Sequence, residues 1–231
     1  MKRLYRAVAV LADDAGFALA LDGKRVHTPA GTPLVVGARA LAEAIAEEWS
    51  AQGERVVPAT MPLMQLAATA FDRIATARPA ALDQLVRYGE TDLLCYRAAE
   101  PPELAERQAA MWQPLIDWAG LRYGARLHVT AGLMPQPQPA EALAALRAAL
   151  DAIDPLGLAG LLAATGAAGS LILALALKEG RLSAEEAWAL SQLDETFQIE
   201  RWGEDAEAAR RRAALRADLA AADRFLALAA G

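Results

Sequence analysis

The first forty residues carry a strand-like pattern. Tyr5–Leu11 is a short apolar run, Asp13–Gly16 is a turn, and Phe17, Leu19 and Leu21 alternate with smaller residues. A period of two is expected where alternate side chains face a core. Asp22-Gly23 is a two-residue hairpin signal, because a type I′ turn holds both central residues at positive φ. Lys24–Thr28 reads as the returning strand, closed by Pro29, and Pro33–Val36 as a further short strand ended by Gly37. These segments predict an antiparallel meander.

From Ala38 the apolar period lengthens. Leu41, Ile45 and Trp49 share one helical face in a segment running to Gln52, with Gly53 placed as a C-terminal glycine cap. Thr60-Met61-Pro62 predicts a second helix, with Thr60 as cap and Pro62 in the first turn. That helix should run to about Ala77 and present Leu66, Thr69 and Arg73 together, before Pro79 ends it. Further helices are expected over Ala81–Tyr96 and from Pro101-Pro102 onward. In the second, Leu104, Met111, Leu115 and Trp118 form a stripe that Pro114 should kink or split. Arg126–Thr130 is a candidate lone strand and Gln136–Pro139 a rigid connector.

Pro155–Leu177 holds no charged residue and is long enough to cross a bilayer. No Trp or Tyr flanks it as an interfacial anchor, and Thr165–Ser170 reads as a turn between two short buried helices. No membrane insertion is therefore expected. Ser183–Glu186 is a capping box, and its helix should continue to Arg201. The last helix spans Glu204–Ala230, with Leu215, Leu219 and Leu226 inward. The reading is an α+β chain: a small β-meander domain with helices over residues 1–79, then a mostly α-helical domain over 80–231.

Composition narrows the function. The chain has 231 residues, 55% hydrophobic and 23% charged, an ordinary globular balance. Its 23 Lys+Arg against 29 Asp+Glu leave a net charge of −6, which does not suit a general nucleic-acid binder. One cysteine, Cys95, excludes an internal disulfide, and with only His27 and His128 no metal site is expected. Phosphate-binding glycine motifs and the G-x-S-x-G elbow are absent, so neither a cofactor nor a catalytic residue is assigned. Cys95 lies among apolar neighbours and reads as a buried thiol. The apolar stretch Ala7–Ala12 is too short for a signal-peptide core, so a cytoplasmic location is expected.

Two stretches combine aromatic and charged residues. In Trp188–Asp205, the residues Trp188, Glu195 and Trp202 are seven apart, so a continuous helix would place them near one line. Ser191 and Gln198 fall beside that line, and Asp194 sits between Leu190 and Phe197 on what should be an apolar edge. A core stripe with acids reaching solvent is one reading. A binding patch with tryptophan anchors is the other. In the second stretch, Asp92 and Tyr96 are i, i+4 on the expected helix with Arg97 beside them, a candidate polar clasp between the domains.

Taken together with Gly16-Phe17, Glu47-Glu48-Trp49, Thr60-Met61-Pro62-Leu63, Thr91–Arg97, Trp112…Trp118 and Leu193-Asp194-Glu195…Gln198…Trp202-Gly203-Glu204, the chain resembles a known family. These are the assembly chaperones that handle the alpha subunit of the F-type ATP synthase. The resemblance runs nearly end to end. It implies a β-rich N-terminal domain joined to a helical one, and an activity that is binding rather than catalysis. The implied partner is the unassembled alpha subunit, whose subunit interface the chaperone shields without ATP, as a monomer whose surface stays available. It points to Asp194, Glu195, Gln198, Trp202 and Glu204 as partner-binding residues, and Trp188 and Trp49 are added from the stripe and the N-terminal helix. Thr196 and Met64-Gln65 depart from the family pattern. The alternative is a small enzyme using Asp92 and Asp194 as a carboxylate pair in an interdomain cleft.

Overall fold

The computed structural model of the chain describes residues 2–132 and 136–231. It is an α+β fold, with antiparallel strands first and helices after them. Two compact units emerge. One comprises the residues up to Arg78 with Asp154–Gly160 and Ala221–Gly231; the other comprises Pro79–Ile153 and Leu161–Ala220.

In the first unit, β1 (Val8–Asp13) and β2 (Gly16–Leu21) pair antiparallel in the register Val8↔Leu21 to Asp13↔Gly16. Asp22 and Gly23, at φ 50° and 80°, turn the chain into β3 (Lys24–Arg25), as the dipeptide predicts. β4 (Val35–Val36) pairs with the start of β2, which is thus the shared central strand. Central position buries Ala18, Leu19 and Ala20 in succession rather than alternately. Helix α1 (Arg39–Ser50) packs on β1 and β2 through Leu41, Ala42, Ala44 and Ile45. It closes at Ala51 in a right-handed conformation, so Gly53 is not its cap.

Helix α2 (Pro62–Thr69) runs into a π-helical turn, Ala70–Ile74. Its buried face is Leu63, Met64, Ala67, Ala70 and Ile74; Arg73 is exposed, which corrects the predicted face. Thr60 does not cap it, because its hydroxyl donates to the Val57 carbonyl and accepts from the Gln52 amide. The cap comes from α1: Glu48 accepts the Leu63 and Met64 N–H groups at 2.8 and 2.9 Å. A carboxylate there meets both orphan amides and the positive end of the helix. The later segments of this unit are the first turns of α6 (Pro155–Ala168) and the last turns of α10 (Ala206–Ala229). They meet at Gly160, where a Cβ would lie 2.7 Å from Leu226 Cδ2, so any larger residue here must push the Leu226 side chain aside.

The helical unit opens with α3 (Arg78–Glu90), which stops short of the predicted Tyr96. A 3-10 turn over Leu93–Cys95 and a short strand β5 (Tyr96–Arg97) follow, so Asp92 and Tyr96 do not share a helix. Helix α4 (Pro102–Tyr123) runs unbroken through Pro114. Loss of one backbone hydrogen bond there is outweighed by burial of Trp112, Leu115, Ile116 and Ala119 around it. Strand β6 (Thr130–Ala131) pairs parallel with β5, and α5 (Ala140–Asp151) follows. The uncharged stretch forms α6 and α7 (Leu171–Lys178), broken at Gly169-Ser170. Every residue from Leu171 to Leu177 is buried. Among the described residues no helix is long and apolar enough to cross a membrane. Helices α8 (Ala184–Ser191), α9 (Leu193–Trp202) and α10 as far as Ala220 complete the unit.

Asp92 lies fully buried at the start of α7. It accepts from Ser170 Oγ at 2.7 Å and from the N–H groups of Ile172 and Leu94 at 3.1 Å each. Burial outweighs these donors and pushes its carboxyl up to about 6. A folded-state pKa above the unfolded one contributes stability in acid that is lost as pH rises through about 6. Over the window from pH 4 to 7 this group should remove about 3 kcal/mol. Asp92→Asn should flatten that fall in urea titrations across the window; an unchanged slope would show that Asp92 is ionised throughout.

Candidate functional site

The predicted single helix over residues 183–201 is two helices. The capping box holds as expected: Ser183 accepts the Glu186 N–H, and the Glu186 carboxylate reaches back to Ser183. The break falls at Gln192, at φ −107° and ψ 19°. No glycine or proline causes it. The Leu190 carbonyl, which a continuous helix would pair with the Asp194 amide, instead accepts the buried Trp112 indole N–H at 3.0 Å. A neighbouring side chain thus satisfies the group freed by the break.

The break re-aims the stripe. Trp188 is buried, Glu195 and Gln198 are exposed, and Trp202 is 76% exposed. The seven-residue line of Trp188, Glu195 and Trp202 is therefore not one surface, which corrects the sequence reading. Gly203 ends α9 at φ 80°, ψ 173°, a conformation reserved for glycine. The chain turns there into α10, whose first turn is capped by Asp205 through the Glu207 and Ala208 N–H groups.

Between α9 and the start of α10 lies an open cleft of about 380 Å³. Glu195, Gln198, Ile199 and Trp202 line one side, Ala208, Arg211, Arg212 and Leu215 the other, and Glu204 and Asp205 the turn. Arg212 braces it with all three guanidinium nitrogens. Nε donates to Gln192 Oε1 at 3.2 Å, Nη1 to Glu204 Oε1 at 2.9 Å, and Nη2 to Thr196 Oγ1 at 3.4 Å. The same guanidinium lies 5.9 Å from the Trp188 ring centroid. Trp188 and Glu204 thus belong to the internal frame of the cleft. Among the described residues, Glu195, Gln198 and Trp202 find no hydrogen-bond, ion-pair or ring partner, and they face outward.

Asp194 points away from this cleft. It accepts from Gln108 Nε2 at 2.7 Å, and Gln108 is buried. Gln108 Oε1 in turn accepts the Ala98 N–H at 2.7 Å, and its backbone carbonyl accepts Arg97 Nη1 at 2.9 Å. Arg97 also donates from Nε to the Leu94 carbonyl at 2.8 Å and covers the Trp112 ring at 5.4 Å. Its remaining nitrogen Nη2 is buried without a partner, and burial lowers its pKa. Gln108 therefore links two sequence stretches that looked separate, and sequence reasoning missed it. The signal was present: Leu104, Gln108, Trp112 and Ile116 recur every fourth residue, and a polar residue on that apolar line needs a buried partner.

The hydrogen bonds of Asp92 and Arg97 all close inside the helical unit, so the expected clasp between domains is corrected to a clasp within one. Tyr96 stands in β5, half-buried. Asp92 is sealed and Asp194 is taken by Gln108, so these two carboxylates do not form a pair open to a substrate. Cys95 is fully buried, and burial pushes its thiol up to about 12. Trp49 lies in the other unit, half-buried and edge-on to Tyr5 at 5.6 Å, in a second cleft of about 350 Å³ with Lys2, Leu4 and Lys24. Among the described residues no cluster of three His, Cys, Asp or Glu could hold a metal ion.

Comparison with known proteins places this geometry. The sequence model of the family described as ATP12 chaperone protein matches residues 2–120. The crystal structure of Atp12 from Paracoccus denitrificans superposes with a TM-score of 0.94 at 42% identity, covering 99% of this chain and 98% of that one. The Atu1473 protein of Agrobacterium tumefaciens superposes with a TM-score of 0.93 at 46% identity, covering 98% and 85%. Protein atp12, mitochondrial, of Schizosaccharomyces pombe is 26% identical over 214 residues, 87% of this chain and 74% of that protein. The chain belongs to the ATP12 chaperone family.

Proposed function

We propose that this chain is an ATP-independent assembly chaperone that binds the unassembled alpha subunit of the F-type ATP synthase and shields its subunit interface. The observation that carries the reading is the α9–α10 cleft. In a chain of the ATP12 chaperone family, it presents an exposed tryptophan and an unpaired carboxylate on a framework fixed from behind. Tryptophan anchors with polar neighbours are the usual make-up of interface hot spots. An unassembled subunit exposes an obligate-type apolar surface that aggregates unless covered. A chaperone suited to that task binds more weakly than the final partner does, and displacement by that partner supplies the release step. Glu195, Gln198 and Trp202 then touch the partner, while Asp194, Trp188 and Glu204 fix the shape of the surface. Trp49 and its cleft in the other unit are a second contact. The protein acts as a cytoplasmic monomer and performs no catalysis.

Co-expression with the alpha subunit of its own organism, followed by size-exclusion chromatography, tests this. A one-to-one complex is expected, with alpha less soluble when expressed alone. Glu195→Lys should leave the melting temperature within the ordinary range of surface substitutions and weaken the complex at least about tenfold. Equal behaviour of alpha with and without the chain would contradict the reading. Unfolding by Glu195→Lys would instead make Glu195 structural.

A further inference from the structure

Several aromatic rings of this chain are covered by its own arginines. Arg97 lies 5.4 Å from the Trp112 ring centroid, Arg181 5.6 Å from Trp118 and Arg212 5.9 Å from Trp188. Phe197 has Arg201 at 4.1 Å and Arg107 at 5.6 Å, and Trp49 is met by Tyr5. Among the described residues, Trp202 is the one tryptophan without a ring or cation contact, and it is 76% exposed.

Helix α9 shows, on the side facing α4, what would complete the side lining the cleft. There Arg107, reaching from α4, covers the Phe197 ring and pairs with Glu200 at 3.1 Å. An aromatic face and a carboxylate on one helix together receive a guanidinium. On the side lining the cleft, Trp202 and Glu195 offer an aromatic ring and a carboxylate two turns apart, and among the described residues neither is contacted by a cation; Arg212, in the same cleft, is held by Glu204 and Trp188. The other charges of the cleft are committed: Glu204 to Arg212, and Asp205 to the first turn of α10. Arg211 remains at the rim, but the cleft still carries three carboxylates against two guanidinium groups.

We infer that the α9–α10 cleft recognises a short basic segment of the partner polypeptide, one arginine stacking on Trp202 while a neighbouring cation pairs with Glu195. This rests on the reading of the cleft as the partner surface and specifies its chemistry. Glu195 and Trp202 are two helical turns apart, about 10 Å at 1.5 Å per residue. That separation fits a segment bearing two cations better than a single small ion. Arginine suits the site better than lysine, because its plane stacks on an indole and sheds water more readily. Gln198 and Ile199, between the two ends, offer the segment a hydrogen-bonding amide and an apolar floor.

The test uses the whole chain and two probes, the peptide acetyl-Leu-Arg-Ala-Arg-Leu-amide and its citrulline counterpart, which keeps the shape without the charge. The Trp202 indole N–H resonance, assigned with Trp202→Phe, is followed by NMR at low salt. The arginine peptide should shift it, the citrulline peptide should not, and Glu195→Gln should weaken the arginine peptide about fivefold. Equal shifts from both peptides, or none from either, would overturn the inference. So would a concentration-dependent dimer of the chain that Trp202→Ala abolishes, since the cleft would then belong to a second copy. Discrimination between the peptides without binding of the alpha subunit would refute only the proposed partner. Binding of alpha without discrimination would refute only the basic-segment chemistry.

Discussion

A polar group taken out of water is costly unless another meets it, and in the helical unit Arg97, Gln108 and Asp194 are tied together by that need, with Arg97 Nη2 alone among their buried atoms left unmet. Arg97 and Gln108 are both buried, and an unmet donor or acceptor there would cost more than a made hydrogen bond contributes. The solution is a chain of contacts. Arg97 bonds to two backbone carbonyls, Gln108 bridges to Ala98, and the Gln108 amide reaches Asp194 in the first turn of α9. That last bond fixes the rotation of α9 about its axis. With Asp194 held inward, Glu195 is directed outward by the helical geometry alone. The acidic pair therefore divides its labour, one residue anchoring and the next presented.

The interruption at Gln192 depends on the same interior. A helix continuing from Trp188 would spend the Leu190 carbonyl on its own backbone, whereas here the Trp112 indole takes it and α9 starts afresh. Arg212 then closes the exposed side of the junction, touching Gln192, Thr196 and Glu204 at once. Interior hydrogen bonding on one side and a single guanidinium on the other leave Trp202 projecting without internal support. An exposed tryptophan beside an unpaired carboxylate has the make-up of an interface anchor.

What could be read in the sequence was local. The Asp22-Gly23 turn, the Ser183–Glu186 capping box and the break near Ser170 each rest on residues within a few positions of one another. What could not be read was long-range. Glu48 caps α2 from another helix, where Thr60 seemed the natural cap. Pro114 sits inside an unbroken α4 because the surrounding core holds the helix. The partition of the Trp188–Glu204 stripe into a buried frame and an exposed face was hidden for the same reason, since Gln108 lies far from Asp194 along the chain. Helical periodicity assumes a continuous helix, and the contact that ends α8 comes from α4.

In the proposed function the α9–α10 cleft, braced by Arg212 and aimed by Asp194, is the surface that engages the partner. Hydrogen–deuterium exchange of the chain, free and mixed with the alpha subunit of its own ATP synthase, tests it most directly. Slowed exchange is expected at the end of α9, through the Gly203 turn and into the start of α10, with the interior of α7 unchanged. Protection confined to other helices, with Gly203 and its neighbours exchanging as in the free chain, would contradict it.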